Sequence, residues 1–277
     1  MRGPAAVPAA VTAAAAAFLA LFLAGTAGAQ PAETPLTVYA AGSTTGVLGA
    51  MLKRYEAETG QHVDLQTGPA GLMRERIEAG DTVDLFVSAN MTHPQKLHDE
   101  GKASAVAVFA RNRLCVYAVP EVGMTSANVL DRLLDPKVRI GTSTPGADPG
   151  GDYAQELFEK AGTVRPGATA ALKAKARAVV GATVKPAAVK GANQREAMLE
   201  RGTDVSIGYC SSRSTAPDTS VTKVELSPQL SITADYGLAI VTTGKDESRE
   251  AAAGRLALFL LSPAAQAILP AYGFGIR

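Results

Sequence analysis

The sequence predicts an α/β fold with mainly parallel sheets. Three observations carry that expectation. Short apolar runs of strand length recur along the chain. Most run directly into a polar or Gly/Pro-rich turn. A stretch with helical spacing of apolar residues then follows, so that strands and helices alternate.

The first unit is the clearest. Leu36–Ala41 is the strand and Gly42-Ser43-Thr44-Thr45 the turn. Over 46–59, Leu48, Met51, Leu52 and Tyr55 fall on one helix face at three- and four-residue steps. Ser43 and Thr44 are natural N-caps for that helix. Residues 62–67 form the next strand, broken by Gly68-Pro69-Ala70-Gly71, and a helix runs on to Ala79. Residues 84–88 are apolar through their middle, which suits a parallel strand covered on both faces. Asp84 reads as a hydrogen-bonding group at the start of that strand. Further strands are expected at 113–119, 138–142, 184–189, 205–210, 221–226 and 236–242. Helices are expected at 124–134, 152–161, 170–180, 193–201, 247–261 and 263–269, with a Gly/Pro-rich loop over 143–151.

Residues 1–29 stand outside this pattern. Arg2, an apolar run over 9–24 and the small residues Ala27-Gly28-Ala29 read as a secretory leader cut after Ala29, which implies a periplasmic protein. The apolar run is short for a membrane span. No cysteine stands at the cut to carry a lipid. The remainder is long enough for two modest domains or one large one. A net charge of +1, without a Lys/Arg-rich tract interleaved with aromatics, argues against nucleic acid or an anionic membrane surface as a partner. Cys115 and Cys210 could pair in an oxidising compartment or stay as buried thiols; a sequence does not supply the Cα separation a disulfide requires.

Four expected helices open behind short polar or glycine-rich loops, near Ser43, Ala70, Gly150 and Asn193. Helix N-termini offer unpaired N–H groups and partial positive charge, so several that converge can hold an anion without Lys or Arg. Ser43 adds a hydroxyl, Gly150 and Gly151 permit close backbone approach, and Tyr209 adds a phenol at the end of a strand. Each feature has a plainer reading, as a cap, a turn or a core tyrosine. The enzymatic signals are missing. His62, His93 and His98 are scattered and read as surface residues without metal-ligand spacing, and no nucleophile elbow, phosphate loop or dinucleotide fingerprint occurs. The chain therefore reads as no enzyme and as holding no cofactor or metal.

Several stretches, in order, resemble the molybdate-binding proteins of ABC importers. They are Ala40-Ala-Gly-Ser-Thr-Thr45, Ile77-Glu-Ala-Gly80, Asp84-Leu-Phe-Val-Ser-Ala89, Pro149-Gly-Gly-Asp-Tyr-Ala154, Asp204 through Ile207 to Tyr209, and Tyr272-Gly-Phe-Gly-Ile276. The resemblance implies a two-lobed periplasmic binding fold of type II, with lobe one at 35–112 and 213–277 and lobe two at 113–212. It implies a cleft that captures molybdate, tungstate or a similar oxyanion by hinge closure, and a monomer that delivers it to an ABC permease in the inner membrane. Ser43, Ala70, Gly71, Gly150, Asn193 and Tyr209 are its implied ligand contacts. One position departs from the pattern: Ala70 stands where the family has serine, so a hydroxyl donor is lost while the backbone N–H stays. Such a set of uncharged donors offers no acceptor for a ligand proton and suits a fully ionised dianion. A binding protein for an organic solute, a phosphonate or a sugar, is the alternative, and a periplasmic hydrolase a further one.

Overall fold

The computed structural model describes Met1, Gly3 and residues 34–181, 193–242 and 244–277. The expected leader at 1–29, beyond those two terminal residues, and the expected strand at 184–189 lie outside the described residues. In chain order the elements are β1 (Leu36–Ala41), α1 (Thr45–Thr59), β2 (Val63–Gly68), α2 (Ala70–Glu78), β3 (Leu85–Ser88), α3 (Thr92–Asp99) and β4 (Ala103–Ala118). Then come α4 (Val129–Leu134), β5 (Ile140–Ser143), α5 (Pro149–Val164), α6 (Ala168–Lys175), β6 (Arg177–Val180), α7 (Gln194–Glu200) and β7 (Val205–Tyr209). The chain closes with β8 (Thr222–Glu225), β9 (Thr233–Val241), α8 (Glu247–Leu260) and α9 (Pro263–Gln266).

The strands run in the order β2-β1-β3-β9-β4-β7-β5-β6, with β8 beside β4. The outer strands pair in parallel, β1 with β2 and β3, and β5 with β6 and β7. The middle is antiparallel, because β9 returns between β3 and β4. The long strand β4 belongs to both halves. Its first part pairs with β9 as far as Arg113, and its second part, from Leu114, pairs with β7.

Two hydrophobic cores sit on the two halves. In the first, Val47, Leu48, Met51, Leu52 and Tyr55 of α1 pack on β1, β3 and β9, together with Leu256 and Leu260 of α8. Each fully buried Leu or Phe there contributes about 1.5–3 kcal/mol of hydrophobic stabilisation. The second joins Leu114 and Val116 of β4 to Leu157 and Phe158 of α5 and Leu172 of α6. Val224, Leu230 and Ile232 belong to this second core, and β8 pairs with residues 115–118 of β4. Residues 222–232 therefore pack with the second core, and the chain returns to the first at β9.

Asp84 performs the structural role read from the sequence. It is fully buried and accepts Thr37 N–H at 2.7 Å. The Arg249 guanidinium donates to both carboxylate oxygens, at 3.0 and 2.7 Å, and the buried Lys245 ammonium lies 3.4 Å away. These charges tie the start of α8 to β1 and β3.

Several elements differ from expectation. Residues 170–180 do not form one helix: α6 ends at Lys175 and β6 pairs with β5, so sheet pairing overrides the helix propensity of Arg177 and Ala178. The helix expected over 124–134 is confined to the short α4. Helix α5 starts at Pro149, inside the expected loop, with proline in the first turn where its missing N–H is harmless. Neither Ser43 nor Thr44 caps α1; Thr44 Oγ1 instead donates to Ala41 O at 2.7 Å. His93, read as a surface residue, is 5% exposed, and burial lowers its pKa to about 4. Cys115 and Cys210 are joined as a disulfide, with Cα atoms 4.9 Å apart.

Candidate functional site

The C-terminal ends of β1, β2, β5 and β7 open onto one cleft of about 1130 Å³. Ligand sites in open α/β sheets lie beyond such strand ends. Ser43, Thr67, Ser143, Asp148, Tyr209, Ser211 and Arg213 are among its lining residues. Strand order explains the convergence: β1 carries Ser43 from the first half, and β7 carries Tyr209 from the second. The segment after Tyr209 crosses over the start of α1. A Cβ on Gly46 would lie 1.9 Å from Arg213 O, so only glycine admits that crossing.

A chain of hydrogen bonds lies beneath the cleft. The Asn112 carboxamide oxygen accepts Arg113 N–H at 2.8 Å, which turns its Nδ2 toward Ser211 Oγ at 2.8 Å and the Tyr236 hydroxyl at 3.2 Å. Tyr236 Oη and Ser43 Oγ are 2.9 Å apart. A phenol has one proton to give. Either hydroxyl can donate across that contact; when Tyr236, already accepting from Asn112, donates to Ser43 Oγ, the Ser43 proton is left for the cleft. Burial pushes the Tyr236 pKa far up, so the relay stays protonated.

Tyr209 has the opposite situation. Its ring packs edge-on against Tyr236 at 5.4 Å and Tyr153 at 6.2 Å between centroids. Part of the residue reaches solvent in the cleft, but its hydroxyl is buried and makes no hydrogen bond of ordinary geometry among the described residues, although the Tyr236 hydroxyl is near enough to act on it. Burial also raises its pKa well above the ordinary value. An unpaired buried hydroxyl costs about 1–3 kcal/mol, which a ligand oxygen would recover. The backbone at this point is fixed twice, by the Tyr117 hydroxyl donating to Tyr209 O at 2.6 Å and by the Cys115–Cys210 disulfide at the next residue.

The other expected contacts stand apart from this arrangement. Ala70 is fully buried at the start of α2. Gly71 N–H is already used: it donates across to Ala147 O at 3.1 Å, and a Cβ there would meet that oxygen at 2.7 Å. The Tyr153 hydroxyl likewise reaches Ala89 O, at 3.3 Å, from the other half. Gly150 N–H donates to Asp148 Oδ1 at 3.2 Å, although Gly150 itself lies against Ser143 and Tyr209. Asn193 caps α7 by accepting Glu196 N–H at 3.0 Å, and its neighbour Gln194 lines the cleft. Ser43 and Tyr209, singled out in the sequence, line the cleft; Asn112, Ser211 and Tyr236, which were not singled out, form the hydrogen-bond chain beneath it. Asn112 gave no signal in the sequence: it lies just before the strand expected at 113–119, and only the fold leaves it 4% exposed.

The cleft is not free of charge, contrary to the set of uncharged donors expected from the sequence. Asp148 lines it, as do Arg201, Arg213 and Lys223. Arg213 Nε donates to Gly42 O at 3.1 Å, and Lys223 Nζ to Cys210 O at 2.6 Å.

Comparison with known proteins agrees with the fold. An uncharacterised protein of Pasteurella multocida is 35% identical over 196 residues, covering 70% of this chain and 80% of its own length. The periplasmic molybdate-binding protein of Azotobacter vinelandii superposes with a TM-score of 0.69 at 20% identity, over 87% of this chain and 99% of that one. The sulfate-binding protein SubI of Mycobacterium tuberculosis gives 0.67 at 18% identity, over 87% and 86%. At such identities these two establish the shared fold, that of the type II periplasmic binding proteins. A family model matches residues 36–275. The chain thus belongs to the bacterial extracellular solute-binding protein family.

Proposed function

We propose that this protein captures a tetrahedral oxyanion of the class that includes molybdate and tungstate, and passes it to an ABC permease. Tyr209 carries this reading: it lines the same cavity as Ser43, and its buried hydroxyl has no hydrogen-bond partner among the described residues. Each donor comes from a different half, so an anion held by both favours the arrangement in which the halves meet. The Gly71–Ala147 and Tyr153–Ala89 hydrogen bonds support such closure. Ala70, Gly71, Gly150 and Asn193 flank the cleft and do not line it; their neighbours Pro69, Asp148 and Gln194 do. The protein works as an exported periplasmic monomer and catalyses no reaction.

Thermal shift against molybdate, tungstate, sulfate and phosphate tests this. The bound anion stabilises by RT ln(1 + [L]/Kd), about 2.7 kcal/mol at a hundredfold excess over Kd. A melting temperature that rises with an organic solute and with none of these anions would falsify the oxyanion reading.

A further inference from the structure

We propose that Arg213 is a ligand residue of this cleft, whose guanidinium closes over the bound oxyanion from the mouth and donates paired N–H bonds to it. The inference rests on the oxyanion reading and adds a charged contact to the neutral donors Ser43 and Tyr209. Arg213 lines the same cavity as both. It lies on the segment that follows Tyr209 and crosses the start of α1, where Gly46 admits its carbonyl. Its side chain folds back on the residue before Ser43. Nε donates to Gly42 O at 3.1 Å, and a Cβ on Gly42 would stand 3.3 Å from Nη2. The glycine thus lets the guanidinium lie against the backbone. That bond uses Nε–H alone, and the Nη groups hold no hydrogen bond or ion pair among the described residues. A guanidinium pinned at Nε is a planar fork with its prongs unspent, the form that grips an oxyanion through two parallel bonds. The other cations of the cleft are placed differently. Lys223 Nζ is spent on Cys210 O at 2.6 Å, and Arg201 stands at the C-terminal end of α7.

Charge gives a second argument. The carboxylate of Asp148 lines this cavity, and a dianion held only by hydroxyls would meet it as a like charge. Burial raises the Asp148 pKa, and the charge of Arg213, a weaker influence, lowers it, so the field of the guanidinium reaches across the cleft. Arg213 therefore offsets Asp148 where a dianion would sit. Because the residue is exposed, its charge also acts before contact and draws anions toward the mouth. That long-range part is screened by salt, whereas the bonds of Ser43 and Tyr209 are not.

Calorimetry with molybdate, tungstate, sulfate and phosphate, each at low and at raised salt, is the test. For the tightest-binding of these anions, Arg213→Gln is expected to lose about ten- to a hundredfold in affinity, the worth of hydrogen bonding to a charged group. Arg213→Lys keeps the charge without the fork and should lose less. Wild-type affinity should fall more steeply with salt than that of Arg213→Gln. Lys137→Gln, at an exposed residue before β5, removes the same net charge and should keep both the affinity and the salt dependence of the wild type. An Arg213→Gln variant that binds within about twofold of wild type overturns the proposal. A variant that binds weakly with wild-type salt dependence also overturns it, because Arg213 then only holds the turn over α1. If Arg213→Gln fails to fold, Arg213→Lys decides, and wild-type affinity in it overturns the paired contact. Wild-type protein that binds none of the four anions overturns the oxyanion reading itself, and this inference with it.

Discussion

Two buried polar clusters in this chain use hydrogen bonds in opposite ways. Around Asp84, both carboxylate oxygens are bonded, to Thr37 N–H and the Arg249 guanidinium, with Lys245 beside them. Under the cleft, hydrogen bonds run from Asn112 through Tyr236 to Ser43 and stop, and Tyr209 adds a hydroxyl without a partner among the described residues. The first cluster is complete within the protein. The second has donors to spare. Paired buried charge holds elements together, whereas an unspent buried donor marks where something else belongs.

Substitutions can break that contrast. The largest effect is expected for Asp84→Ala. It leaves Lys245, with no exposed side-chain surface, as an uncompensated buried charge, and should cost about 3–5 kcal/mol in urea denaturation. Anion affinity of the remaining folded protein should not change. A large affinity loss would show that the two clusters are not separate. Replacing Cys115 and Cys210 together by serine should cost about 2–4 kcal/mol, since the bridge closes a long loop. Tyr209→Phe sharpens the contrast. Anion affinity should fall about tenfold or more, while stability stays level or rises because an unpaired hydroxyl is removed. A clear loss of stability would mean that this hydroxyl already has a partner. The smallest effect is expected for Tyr236→Phe. It interrupts the relay from Asn112 to Ser43, with about 1 kcal/mol lost in stability and a similar loss in binding.

The sequence was most legible where structure is local. The stripe Leu48, Met51, Leu52 and Tyr55 is written at helical spacing, and α1 follows it. The first half of β4 was not legible. Residues 103–112 are rich in alanine and form a strand because β9, over a hundred residues later, pairs with them. Helix α3 was hidden by Pro94, which sits in its first turn, where it displaces no helical hydrogen bond. The site divides in the same way. Ser43 and Tyr209 could be picked out because each ends a readable strand. Tyr236 and Asn112 could not, because they are 124 residues apart and meet only when β9 lies against β4. Gly71 shows a different limit. Its position was readable, but its N–H is taken by Ala147 from the other half of the molecule.

Asn112 lies where β4 leaves one set of neighbours for the other, one residue before the last pairing with β9. The carboxamide that bonds the Tyr236 hydroxyl, next to Ser43, therefore sits at the junction of the two halves. In the closure proposed above, a swing of the halves would turn that amide and with it the hydroxyls it reaches. Pivoting and ligand recognition would then share one side chain, and a substitution meant to loosen one would also disturb the other.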